Sequence, residues 1–295
     1  MNIFYHNDAD GRLSAWLIRK HNECFGEEIK FFEMTYDKPF PPDVLSKGKA
    51  CFILDYSVKP EVMKEIIANS SEVVWIDHHK SAIEAYKDWD GPVIDGVRDT
   101  SMSGCELTNK WLGLSPNRVV DLVGDFDTWQ FKFGEHSNRF RMGLECFNQD
   151  PSRNDCVWER IIGIDIMKDE DIVTLDQVFE AGRAVINYLE AQNKQQFKTA
   201  AYQTTFHDHP ATVINSLQLG RKQFDNTGNA NELMIVWFFN GKQYKVSIYS
   251  EIVDVAKIAE QYGGGGHKGA AGFVIDHLPF HPYAYCAAQL AKPGA

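Results

Sequence analysis

Glu72-Val73-Val74-Trp75-Ile76-Asp77-His78-His79 is the stretch around which this chain is organised. The β-branched and aromatic residues from Val73 to Ile76 predict a buried strand. That strand runs directly into an aspartate and two histidines, all able to bind or orient a metal. Two upstream stretches share the pattern: Met1-Asn2-Ile3-Phe4-Tyr5 leads into His6-Asn7-Asp8-Ala9-Asp10-Gly11, and Ala50-Cys51-Phe52-Ile53-Leu54 leads into Asp55. Core packing gives no reason for a carboxylate or imidazole at the end of each apolar run. In open α/β sheets, ligands collect at the carboxyl ends of the strands. The pattern therefore predicts strands of one sheet delivering their polar ends to a single metal site.

Between these strands the periodicity is helical. Arg12 to Lys20 carries an apolar stripe, Glu28 to Tyr36 reads as a further strand, and Pro39, Pro41 and Pro42 mark a loop. Pro60 opens a helix through Ile67, a favourable first-turn position for proline. Strands alternating with helices at these lengths predict βαβ units and a mostly parallel sheet. Ser103-Gly104-Cys105-Glu106 is a capping-box pattern before a helix from Leu107 to Leu112; Ser103 is there either as a helix cap or as a phosphate contact. Arg118 to Trp129 is another apolar segment, ending in Gly124-Asp125-Phe126-Asp127-Thr128-Trp129. Residues 135–155 are rich in Asn, Asp, Arg and Ser and read as irregular.

From Asp171 to Ala201 a long proline-free helical pattern sets Val178, Ala181, Val185, Ile186 and Leu189 on one stripe. It reads as a connector between domains. Beyond it Ala211 to Leu217, Glu232 to Phe239 and Gln243 to Tyr249 read as strands, with Asn240-Gly241 as a hairpin turn. An amphipathic helix from Val253 to Tyr262 then stops at Gly263-Gly264-Gly265-Gly266, followed by His267-Lys268-Gly269-Ala270-Ala271-Gly272.

A length of 295 residues with 44% apolar composition predicts two globular domains. The net charge of −11 argues against coating long duplex nucleic acid, which needs a broad basic surface. The six cysteines are scattered with no C-x-x-C pair, which suits a reducing compartment. The longest apolar run, Leu233 to Phe239, is far too short to span a bilayer. With no basic segment or cleavage pattern ahead of the first strand, the expected location is cytoplasmic, with no membrane partner.

His6, Asp8 and Asp10 at i, i+2 and i+4 would share one side of a strand, or converge from a loop. Taken alone, Asp8 to Gly11 could be a mere turn. Together with Asp55, His78 and Asp127, the set offers more N and O donors than one ion needs. A centre of two divalent ions, roughly 3.5–4 Å apart, fits that excess and suits phosphoryl chemistry. His79 either contacts substrate or tunes a ligand, and Asp127 is preferred over Asp125 as a donor. The glycine run exposes backbone N–H groups to an anion, and His267 and Lys268 add side-chain donors.

Taken in order, these motifs resemble the DHH phosphoesterase superfamily. His6 to Gly11 looks like its first motif, Asp55 its second, Asp77-His78-His79 the triplet that names it, and Asp127 its fourth. Gly263 to Gly272 resembles the signature of the DHH-associated C-terminal domain, which disfavours the pyrophosphatase branch. The nanoRNase (oligoribonuclease) branch is most similar in texture.

The resemblance implies an N-terminal parallel-sheet domain over residues 1–168, a connector helix over 169–202 and a smaller α/β substrate-binding domain over 203–295. It implies one Mn2+ on His6, Asp8, Asp55 and Asp127 and a second on Asp10, Asp55 and His78, with Mg2+ or Co2+ as substitutes. His79 would face the scissile phosphate, with Asp77 beside it in the catalytic pair. Gly264, Gly265, Gly266, His267 and Lys268 would hold the far end of the substrate, with Ser103 as a further contact. Tyr249 stands where family members commonly have an arginine; it can stack on a base but brings no charge. Arg221 or Lys222 are candidates for the missing cation. The implied activity is hydrolysis of short oligonucleotides to 5′-mononucleotides by a monomer or homodimer. The alternatives are 3′-phosphoadenosine 5′-phosphate or linear and cyclic dinucleotides as substrate, or a non-catalytic nucleotide-binding module.

Overall fold

Strands β1 (Asn2–His6), β2 (Lys30–Met34), β3 (Ala50–Leu54) and β4 (Glu72–Ile76) form one parallel sheet in the order β2-β1-β3-β4. The computed structural model describes residues 1–23, 26, 28–45, 48–162, 173–217 and 233–280. Tyr5 lies opposite Leu54, and Leu54 opposite Ile76, so the residues that follow leave the sheet at one level. Those residues are His6, Asp55 and Asp77. From β1 the chain goes outward to β2, and from β3 outward to β4, so its direction reverses between β1 and β3. Such a switch point opens the crevice in which ligands of doubly wound sheets bind.

Both faces of this sheet are covered, which is why its strands read as continuous apolar runs. On one face Ile3, Tyr5, Leu54 and Ile76 pack against Ala15 and Ile18 of α1 (Ala9–Asn22) and Leu107 of α4 (Gly104–Trp111). On the other, Phe4, Ile53 and Trp75 meet Met63 and Ile66 of α2 (Pro60–Asn69). Short α3 (Lys80–Ala85) follows His79. A helical layer behind α1 joins α5 (Arg118–Asp127), α6 (Glu135–Leu144) and α7 (Val157–Ile161) through Val119, Val123, Phe140 and Trp158.

Helix α6 corrects the irregular reading of residues 135–155. Its buried face is Ser137, Phe140, Gly143 and Leu144, at helical spacing but with only two large apolar side chains. That signal is too thin to stand out among Glu, His, Asn and Arg.

Helix α8 (Leu175–Ala200) follows, and the chain divides within it into two compact units, Met1–Ile186 and Asn187–Ala295. Its first turns send Val178 and Phe179 into the first unit's core. Its last turn sets Phe197 against Ile214 and Val236 of the second. Residues 163–172, where the expected connector began, lie outside the described residues.

The second unit is a six-stranded sheet of β5 (Tyr202–Phe206), β6 (His209–Asn215), β7 (Leu233–Phe239), β8 (Tyr244–Tyr249), β9 (Gly265–His267) and β10 (Ala270–Ile275). The order is β5-β6-β7-β8-β10-β9, with β6 and β7 parallel and the other pairs antiparallel. Helix α9 (Val255–Glu260) packs Val255, Ile258 and Ala259 on one face. At the expected hairpin, the Asn240 Oδ1 accepts from the N–H groups of Lys242 and Gln243, and Gly241 is left-handed. Strand β5 was not anticipated; its turn to β6 uses left-handed His207 and Asp208 in place of a recognisable Asn-Gly. Among the described residues no helix is long and apolar enough to cross a membrane.

Candidate metal centre

His6, Asp8 and Asp10 do not share one side of a strand, as the spacing had allowed. His6 ends β1, Asp8 is the N-cap of α1 and accepts from the Gly11 N–H at 2.9 Å, and Asp10 lies buried in the first turn. Gly11 is required by this close return: a Cβ there would stand 2.3 Å from the His6 carbonyl oxygen. His6 Nδ1 lies 2.7 Å from Asp8 Oδ2. Asp10 is oriented from the other side, because its two oxygens accept from Gly104 N–H at 2.6 Å and Cys105 N–H at 2.7 Å. These are free donors of the first turn of α4.

That arrangement decides between the two readings of Ser103. It is wholly buried, its hydroxyl accepts from the Glu106 N–H, and the Glu106 carboxylate accepts from the Ser103 N–H. With Asp10 seated on the helix end, Ser103 is a cap and the phosphate contact is withdrawn.

Asp55 follows β3 in a left-handed conformation, φ +50°, while its N–H still donates to the Ile76 carbonyl at 2.9 Å. The turn sets its carboxylate between the other donors. Asp55 Oδ2 is 3.8 Å from His6 Nδ1, and Asp55 Oδ1 is 3.2 Å from His78 Nε2. Asp127, at the end of α5, brings Oδ2 to 3.3 Å from the same His78 nitrogen, with Asp10 Oδ2 at 3.9 Å. Three groups of potential ligand atoms result: His6, Asp8 and Asp55; Asp10, His78 and Asp127; and Asp55, His78 and His79. Asp127 falls in the group with Asp10 and His78, where the resemblance implied a place with His6, Asp8 and Asp55. Asp125 points elsewhere: its carboxylate accepts from the N–H groups of Lys132 and Phe133 and from the Ser137 hydroxyl. It holds a turn in which Trp129 and Phe131 are left-handed.

The donor chemistry fits divalent cations. Both Asp55 oxygens and Asp127 Oδ2 are buried without a hydrogen-bond partner. Desolvated carboxylate left unpaired is costly, and a bound cation is the usual compensation. The protonation balance records the same strain. Burial first and the Asp10 charge second push the Asp127 carboxyl up to about 7 and also raise Asp55. Burial and then the Asp8 charge raise Asp10. The neighbouring Asp55 carboxylate first and the bond to Asp8 second hold the His6 imidazolium up to about 10. Burial opposes ionisation of Asp8, but the His6 bond and charge outweigh it and bring it down to about 2.

Asp77 and His79 form a pair beside these donors. Asp77 is wholly buried, and its Oδ1 accepts from the backbone N–H groups of His78 (2.8 Å) and His79 (3.1 Å). The same oxygen lies 2.7 Å from His79 Nδ1, and that bond raises the imidazole above its ordinary value against the effect of burial. Asp77 is thus closed off from solvent, whereas the His79 side chain remains 35% exposed. Sequence reasoning missed Tyr36, whose ring lies 5.5 Å from His6 and 6.3 Å from His79. The signal was present: it follows β2 at the strand-end edge that supplies the other residues.

In the second unit the glycine run is not the free loop that was expected. Gly265 to His267 form edge strand β9, and the N–H groups of Gly263 and Gly264 close the last turn of α9 on Glu260 and Ala259. The Gly264 N–H is thus taken, and the run sits at a helix C-terminus, where the dipole does not favour anions. A Cβ on Gly264 would stand 2.1 Å from the Gly272 carbonyl oxygen. Gly265, Gly266, His267 and Lys268 are exposed. Ala270 is level with Tyr249 on one side and His267 on the other, so the three share a sheet face. Arg221 and Lys222 lie outside the described residues.

The DHHA1 domain model matches residues 222–281. Oligoribonuclease NrnB of Bacillus subtilis is 23% identical over 93% of this chain and 72% of its own length. The uncharacterized protein R106 of Acanthamoeba polyphaga mimivirus is 24% identical over 96% of this chain and 70% of its own. Among solved structures, the pGpG-specific phosphodiesterase PggH of Vibrio cholerae superposes with a TM-score of 0.51 at 16% identity, covering 98% of this chain and 96% of that one.

Proposed function

Since the chain belongs to the DHH phosphoesterase superfamily, we propose that its N-terminal centre hydrolyses phosphodiester bonds of short oligonucleotides and releases 5′-mononucleotides. The carrying observation is Asp55, a buried carboxylate with no hydrogen-bond partner, standing where the donor groups meet. His6, Asp8 and Asp55 would hold one divalent ion, and Asp10, Asp55, His78 and Asp127 a second. Mixed nitrogen and oxygen donors favour Mn2+, with Mg2+ or Co2+ as substitutes. When bound, such ions supply charge neutralisation at a phosphoryl group and a lowered pKa for a water.

The remaining work falls to the chain's own residues. Asp77 fixes the ring of His79 through Nδ1 and strengthens its hold on a proton. That leaves Nε2 as the free ring nitrogen, a donor to a phosphate oxygen when the ring carries its second proton. The N–H groups of Gly104 and Cys105 lock Asp10 in its orientation, as outer hydrogen bonds do for ligating carboxylates. Tyr249 and His267 share one face of the second sheet and are the proposed substrate contacts of that unit. The description of the Bacillus relative as an oligoribonuclease supports oligonucleotides as the substrate class. The net charge of −11 supports short ones, because little counterion-release energy is available to grip a polymer.

The test is product analysis of a 5′-labelled RNA dinucleotide incubated with Mn2+ and either wild type or Asp55→Asn. Wild type is expected to yield mononucleotide, and the variant to lose at least about 10³-fold in rate together with bound metal. Substantial metal-dependent activity in Asp55→Asn would remove the two-ion assignment. An intact dinucleotide, with metal shown to be bound to wild type, would move the function to a phosphomonoester or to nucleotide binding.

A further inference from the structure

Tyr36 stands at the rim of the centre without being one of its donors. Met34 of β2 is level with His6, so two further residues carry the chain to the crevice edge. The ring stacks on Tyr56 with centroids 4.8 Å apart and planes 28° from parallel. Tyr56 is itself buried and directly follows Asp55. The Tyr36 hydroxyl accepts from the Ser57 N–H at 3.3 Å, which fixes the ring's outer end. Two imidazoles, those of His6 and His79, border it. Despite these supports, the residue keeps 55% of its surface exposed. A lone exposed aromatic needs no explanation. A ring backed by a second ring, anchored at its hydroxyl and bordered by two of the three site histidines is a prepared surface.

We propose that Tyr36, supported by Tyr56, is the platform on which a base of the substrate stacks next to the phosphate facing His79. This rests on the phosphodiesterase reading and adds a requirement for a base, without selecting which one. Stacking is sequence-tolerant because every nucleobase has a π-face. It also recruits substrate without a cation, which suits a rim already crowded with carboxylates.

The test uses the full-length Mn2+-loaded protein as wild type, Tyr36→Ala, Tyr36→Leu and Tyr36→Phe, each checked for fold by melting temperature. Substrates are an RNA dinucleotide and the same molecule made abasic at one position or the other. For the dinucleotide, Tyr36→Ala and Tyr36→Leu are expected to lose about 5- to 150-fold in kcat/KM, mostly through KM, the range of a single base–aromatic stack. Tyr36→Phe is expected to stay within about threefold of wild type, because the ring remains. At least one abasic substrate should be cleaved equally by wild type and Tyr36→Ala. Leu keeps apolar bulk against Tyr56, so a loss shared by Ala and Leu on the dinucleotide alone separates stacking from support of the fold. An equal loss on every substrate, or no loss on the dinucleotide, overturns the platform. A parallel titration with AMP and ribose 5-phosphate reads base preference without catalysis. If wild type cleaves nothing but prefers AMP in a Tyr36-dependent way, the platform stands while the hydrolytic reading fails. If neither cleavage nor base preference is seen, both fail.

Discussion

The donor cluster of the first unit and the glycine-rich edge of the second are built on opposite principles. The first gathers side chains from β1, α1, β3, β4 and α5 and leaves carboxylate oxygens buried and unpaired. The second removes side chains, and the fold itself uses the N–H groups of Gly263 and Gly264. Unpaired buried charge is tolerated only where a ligand compensates it, so the first region stores a demand for cations. Bare backbone stores no such demand; it offers room and close approach. Chemistry belongs to the first region and shape to the second.

The largest expected effect that tests this division is at Asp77. Asp77→Asn keeps an oxygen for the backbone N–H groups of His78 and His79 but cannot stabilise a protonated His79. Turnover should fall about 10²-fold while metal stoichiometry, read by elemental analysis, stays unchanged. Loss of metal would instead draw Asp77 into the donor set and blur the line between donors and positioning residues.

A smaller effect is expected from Gly264→Ala. The added methyl group meets the Gly272 carbonyl at 2.1 Å and the Phe273 Cβ at 2.6 Å. Such overpacking costs about 1–3 kcal/mol. Melting should show a destabilised second unit with Mn2+ uptake intact. Loss of Mn2+ uptake would show that the two regions are not separable.

The smallest effect concerns pH. The Asp127 carboxyl keeps its proton up to about 7 in the folded chain, whereas an unfolded aspartate releases it near ~3.9. Between those values the folded state binds more protons, so metal-free stability falls as pH rises. His6 acts in the same direction: its stabilisation is complete below ~6.5 and is lost as pH rises through about 10. Asp8, drawn down to about 2, contributes stability that is lost only in strong acid. Metal-free protein should therefore melt a few degrees lower at about pH 8 than at about pH 5.5, with Mn2+ restoring more at the higher value. A melting temperature that does not change over this range would mean that the cluster carries no stored repulsion.

Much of the first region is legible in sequence because each strand is a short apolar run with an abrupt polar end. The bounds of β3 and β4 follow from that contrast, and so does the meeting of His6, Asp55 and His78 at one edge of the sheet. What sequence does not carry is how α5 approaches the sheet, and that alone puts Asp127 beside His78. Ser103 and Asp77 look exposed in a motif but are buried in the fold, because Asp10 reaches α4 and Asp77 turns back on its own backbone. Tyr36 escapes notice since an aromatic at a strand end reads as core. Helix α6 escapes it for the reverse reason, too little apolar surface to make its period visible. The glycine run misleads through local context: four glycines after a helix suggest a loop, and only pairing with β10 makes them a strand.

The left-handed backbone of Asp55 narrows the routes by which this activity could be lost over generations. Asparagine and glycine tolerate that conformation, whereas most other residues are destabilised in it by about 1–2 kcal/mol. A lineage abandoning catalysis therefore has two undemanding exits, Asp55→Asn and Asp55→Gly. Descendants that drifted through either would keep the fold and the crevice intact for binding.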